Sequence, residues 1–187
     1  MDALEIFNRT VAEIEEVVGR VTPAQYADPT PCSDWNVQKV LGHVIEIPQA
    51  FAAIANGQIP PEPGSTVVGT EPAADFLTAA DAARTAFARP GMLEQRYEFP
   101  WGHEPGWRIV RHVANELLIH GWDLAHATGQ PAAFSPDLAE LSLASWREWF
   151  GEYPRSQMND NFADEQPAPP DASPADRLVA YLGRSLG

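Results

Sequence analysis

One cysteine stands in the 187 residues of this chain. Cys32 therefore has no intramolecular disulfide partner, and zinc sites built from several thiolates are excluded. Lysine is as scarce. Of 12 basic residues only Lys39 is a lysine, against 26 Asp and Glu, and the formal net charge is −14. A chain this negative repels phosphate backbones and anionic headgroups, which excludes nucleic acid and membrane surfaces as expected partners. No stretch reaches the ~18 consecutive apolar residues needed to span a bilayer. The opening MDALEIFNRTVAEIEEVV lacks the basic flank and apolar run of a signal peptide. The expectation is a cytoplasmic protein in which any metal is held by histidines and carboxylates.

What is present is helical periodicity. Leu4, Phe7, Val11, Ile14 and Val18 fall at steps of three and four, one apolar stripe over about four turns. A second helix is expected to begin with Asn36 as its N-cap and to stop near Asn56 and Gly57, with a kink at Pro48. Residues 59–72 hold four prolines and two glycines and read as a long connection. A third helix is expected over 73–88, an extended or hairpin-like link over 92–107, and a fourth helix over 108–128. A fifth covers 136–153. A proline-rich stretch then leads to a short helix over 175–182.

The fourth helix carries the chemistry. His112, Glu116 and His120 are spaced at i, i+4 and i+8 and stay on one stripe, bordered by Ile109, Val113, Leu117 and Leu124. A carboxylate and an imidazole one turn apart can converge on one cation, so Glu116 and His120 form a candidate ligand pair. His43, on an apolar face of the second helix, is the strongest candidate for a third ligand. The plainer alternatives are an ordinary helix ion pair for Glu116 and His120 and a hydrogen-bonded core histidine for His43. Only facing helices would combine the three. His126 should point away from the site, while His103 can reach a pocket mouth. Trp35, Trp101 and Trp107 read as core or pocket wall, Asp123 as a helix-terminal hydrogen bond, and Cys32 as packing.

The blocks TPCSDW, VQKVLGHV, ELLIHGWDLAHATGQ and DRLVAYLGR resemble the metal-binding domain of mycothiol-dependent maleylpyruvate isomerases. More closely they resemble stand-alone actinobacterial relatives of that domain, within the DinB-like superfamily. The resemblance implies an all-α fold: a DinB-like four-helix bundle, up-down-down-up, with one long crossover and additional C-terminal helices. Residues 1–153 would form the metal-binding bundle, and residues 154–187 a proline-rich extension whose short helix packs on it. The resemblance assigns the metal ligands to His43, Glu116 and His120. His112 would be a neighbour or substitute ligand, and Glu46 would orient a ligand or a bound water.

Zinc is the first choice of metal, with nickel, iron or manganese as alternatives. Mycothiol or a similar small thiol is the implied cosubstrate, attacking a small electrophile. The isomerases carry a further C-terminal domain, in place of which this chain shows a proline-rich tail and one helix. The maleylpyruvate reaction itself is therefore not the expectation; the expected activity is a metal-dependent, thiol-using transferase or isomerase of small electrophiles. A metal-dependent hydrolase and a non-enzymatic metal- or ligand-binding bundle are the alternatives, and a homodimer is compatible with the helical faces.

Overall fold

The helices begin where the sequence offers caps. A computed structural model describes residues 1–99, 102–132, 134–157 and 162–186. Asp2 accepts the Glu5 N–H at the start of α1 (Ala3–Arg20), and Asn36 accepts the Lys39 N–H at the start of α2 (Val37–Ala55). Proline opens α3 (Pro72–Phe87), α5 (Pro136–Glu152) and α6 (Pro174–Tyr181), where its missing N–H leaves no helical bond unmade. The link before α4 (Gly106–Ala127) is a two-stranded antiparallel hairpin, β1 (Arg96–Phe99) and β2 (Gly102–Pro105). The expected elements are all there, with ends displaced by one or two residues. α2 runs through Pro48 as one helix.

Four helices close the bundle. α1 packs on α4 and α3, and α2 packs on α3 and α4, so the order around the core is α1, α4, α2, α3. α2 and α3 are neighbours joined by the long connection 56–71. Phe7, Ile14, Leu41, Ile45, Phe76, Phe87 and Leu117 fill the centre and are almost wholly shielded from water. Each such side chain contributes roughly 1.5–3 kcal/mol of apolar transfer.

α5 and α6 pack against each other and against α4 from outside this ring. The later part of α4 is thereby covered on every side, with residues 117–125 all buried. Close approach to α1 is possible because position 121 carries no side chain. A Cβ on Gly121 would stand 2.1 Å from Ile14 Cδ1. The hairpin is pinned from below by buried Glu104, which accepts from Arg108 Nη1 at 3.2 Å and from the Tyr153 hydroxyl at 3.0 Å. Burial, together with Glu104 and Glu152, pushes that hydroxyl up to about 12.

Candidate metal centre

The facing of α2 and α4 brings His43, Glu116 and His120 together. Their ligand-capable atoms lie within 4.8 Å of one another. Glu116 Oε2 stands 3.5 Å from His120 Nε2 and 3.9 Å from His43 Nε2, and the two imidazoles meet edge to face with centroids 4.8 Å apart. The side chains grade from shielded to open, 7% exposed for His120, 15% for Glu116 and 25% for His43. The cluster is therefore reached from the α2 side. Burial works to raise the Glu116 pKa, yet the adjacent imidazoles of His120 and His43 and the field of His112 hold it well below the ordinary carboxylate range.

His120 is fixed from behind. Its Nδ1 lies 3.0 Å from Asp123 Oδ2, three residues on along α4, which leaves Nε2 for the cluster. Asp123 is fully buried and also receives Arg184, through Nη2 to Oδ2 at 2.9 Å and Nε to Oδ1 at 3.3 Å. Burial alone would lower the His120 pKa, but Asp123 and Glu116 raise it. Asp123 itself, against the effect of burial, is held low by His120 and Arg184. Asp123 is thus not the helix-terminal bond that its position suggests, because its carboxylate is directed into the core between an imidazole and a guanidinium.

A groove of about 580 Å³ leads to His43. Trp35, Lys39, Gly42 and His43 form one wall, and Pro63, Gly64 and 66–68 of the long connection form the other. None of its described lining side chains is Asp or Glu, so Lys39 is the one formal charge there. Trp35 covers the cluster, parallel to His120 at 5.6 Å and edge-on to His43 at 4.7 Å. The connection lies directly on α2, with Thr66 O 3.1 Å from where a Cβ on Gly42 would be. Buried Glu46 clamps it there by accepting the N–H groups of Gly64 and Thr66. Glu46 therefore orients backbone rather than a ligand or water.

The remaining singled-out residues separate from the trio. His112 sits in an aromatic slot, stacked on Trp149 at 5.2 Å and near Trp146 and Phe51, and burial lowers its pKa. His126 is exposed and stacks on Trp122, away from the site as its angular position predicts. His103 is exposed on β2, paired with Glu98, and is not among the described residues lining the groove. Trp107 is 40% exposed, so it is neither core nor groove wall, and Trp101 lies outside the described residues.

Cys32 packs at the edge of the core, but its thiol also comes within reach of His120 and Asp123. Sequence neighbours gave it no basic residue, whereas the fold brings Arg184 near. Burial outweighs that cation and pushes the thiol up to about 11.

Comparison with known proteins places this arrangement. The family model described as the mycothiol maleylpyruvate isomerase N-terminal domain matches residues 7–125, the span that contains His43, Glu116, His120 and Asp123. The chain belongs to that family. Two uncharacterized proteins of Mycobacterium tuberculosis, from strains Oshkosh and H37Rv, are each 34% identical to this member over 187 residues, 100% of both chains. The crystal structure of the mycothiol-dependent maleylpyruvate isomerase superposes with a TM-score of 0.58 at 16% identity, covering 80% of this chain and 70% of that one. At that identity the likeness carries the helical fold alone. No helix of the described residues is long and apolar enough to cross a membrane.

Proposed function

We propose that this family member binds a divalent metal through His43, Glu116 and His120 and uses a low-molecular-weight thiol, such as mycothiol, to transfer onto or isomerise small electrophiles in the cytoplasm. The observation that carries the reading is the position of Glu116 Oε2, 3.5 and 3.9 Å from two imidazole nitrogens. Ligand atoms about 2.0–2.1 Å from a tetrahedral zinc are roughly 3.3 Å apart, so the two Glu116–histidine separations need only slight contraction to fit. Three protein ligands with an open side are the pattern of catalytic zinc sites, and nickel, iron or manganese suit the same donors. A divalent metal held there would supply Lewis acidity that ionises a coordinated thiol or water near neutral pH.

The chain's own residues set the rest. Asp123 keeps the His120 Nδ1–H occupied and its Nε2 presented. Trp35 screens the inner imidazole from water, and the groove beside His43 gives a small molecule its approach. Lys39, the one formal charge among the described lining residues, favours electrophiles that carry an anionic group.

Cobalt substitution tests the reading. Metal-free protein should take up one equivalent of Co(II), His120→Ala should lose it, and added thiol should shift the visible spectrum. Uptake without any response to thiol or azide would mean a closed binding site and a non-enzymatic role. No stoichiometric uptake would overturn the metal assignment.

A further inference from the structure

The innermost histidine of the cluster is linked, through Asp123, to a residue 64 positions further along the chain, beyond the end of α6. We propose that Arg184 is a positioning residue for the metal centre. By gripping Asp123 from behind, it fixes the carboxylate plane that directs the His120 Nδ1–H backward and Nε2 toward Glu116. The inference rests on the metal reading for its functional meaning, but its geometry stands apart from it.

The local chain is shaped to deliver this guanidinium. α6 ends in a left-handed glycine closure, with Gly183 at φ +92°, its N–H on Ala180 O at 3.0 Å and the Arg184 N–H on Val179 O at 2.9 Å. A Cβ on Gly183 would stand 2.6 Å from Ala163 Cβ, so glycine is required both for the turn and for the space. Arg184 is then carried inward and is only 8% exposed. Arg155, which binds the carbonyls of Ala163 and Tyr181, holds the same turn from its other side without touching Asp123.

Two donors converge on one carboxylate oxygen. His120 Nδ1 and Arg184 Nη2 both meet Asp123 Oδ2, at 3.0 and 2.9 Å, while Arg184 Nε engages Oδ1. A guanidinium fork fixes the plane of its carboxylate, which an ammonium point charge does not. Removing the fork would leave a buried carboxylate with the imidazole as its one remaining side-chain partner among these contacts, free to rotate about its last torsion. The imidazole would lose its reference direction with it. Trp122 donates to Asp176 of α6 at 3.1 Å, a second tie between α6 and α4 that does not involve the site.

The test compares Arg184→Ala, Arg184→Lys and Arg155→Ala in the full chain by two measurements. The first is the solvent-protected Nδ1–H proton signal of His120 in metal-free protein. The second is Co(II) affinity by competition with a chelator. The expectation is that Arg184→Ala loses the protected signal and weakens Co(II) binding roughly 10–100-fold, with partial recovery on adding methylguanidinium. Arg184→Lys keeps the charge without the fork and should show the same loss to a smaller degree; it decides the question if Arg184→Ala does not fold. Arg155→Ala should lower the melting temperature while keeping signal and affinity.

If the Arg184 variants keep both the signal and wild-type affinity and merely melt earlier, as Arg155→Ala does, Arg184 is an anchor of α6 and the proposal falls. If wild-type protein takes up no Co(II), the metal reading fails separately, and the Nδ1–H signal still decides whether Arg184 orients His120.

Discussion

Glu46 holds Thr66: the buried carboxylate accepts the Thr66 N–H at 3.1 Å and, with its other oxygen, the Gly64 N–H at 2.9 Å. These two bonds tie the long connection to α2 beside the groove. Hydrogen bonds to a charged group contribute about 1.5–3 kcal/mol each, so Glu46→Ala should release the segment without unfolding the bundle. Limited proteolysis checks this. Cleavage should appear within 59–71 in the variant while the helical fragments on either side persist, and an unchanged digestion pattern would count against the clamp.

Cys32 should be slow to alkylate. Its pKa is shifted from 9.0 to about 11, which lowers the thiolate fraction at pH 8 about hundredfold relative to an unperturbed thiol. Iodoacetamide kinetics on the folded protein should show this suppression and a rate still climbing above pH 9, whereas urea-unfolded protein should level off near its ordinary pKa. A folded-state rate at pH 8 equal to the unfolded one would refute the burial argument.

The two inward histidines of α4 should have pKa values displaced to opposite sides of the ordinary imidazole value in metal-free protein. Burial lowers His112 below its usual 6.5, so its contribution to stability is complete above that value and is lost as the pH falls through its folded pKa. His120 is raised by Asp123 and Glu116 despite burial, so its contribution is complete below 6.5 and is lost as the pH rises through its folded pKa. Proton shifts of the two rings should bracket 6.5. The urea-midpoint advantage of wild type over His112→Phe should shrink as the pH drops from 7 toward 5.

Gly121→Ala should cost about 1–3 kcal/mol, the range for forcing one extra carbon into a packed core. The added methyl meets Ile14 Cδ1, 2.1 Å away, so Ile14→Val in the same chain should recover much of the loss. Chemical denaturation of the two single variants and the double variant measures the coupling. Additive losses would show that the conflict lies elsewhere.

The parts of this molecule written in short-range chemistry were legible in advance. Apolar steps of three and four marked the helices, Asn36 announced the start of α2, and the four-residue spacing of Glu116 and His120 put both on one stripe. His43 stood out because an imidazole among valines and isoleucines needs a partner. What stayed hidden were relationships between a side chain and a distant or backbone group. Asp123 lies three residues from His120, a readable spacing, but its second partner, Arg184, follows the end of α6, and no periodicity links that turn to α4. Glu46 shares a face with His43 and so resembles part of the site, yet it is spent on two peptide N–H groups of a proline-rich segment. Backbone donors leave no mark in a sequence. Trp107 shows the reverse error, an aromatic residue expected in the interior that the start of α4 leaves facing water.

The scarcity of lysine becomes useful once Lys39 is found on the wall of the groove. An acyl donor that reacts with amines has a single lysine to modify in the whole chain, and that lysine stands one helical turn from His43. Protection of this one amine by a small molecule is then a direct count of groove occupancy, readable as the loss of one mass increment, without any knowledge of the reaction that the occupant undergoes.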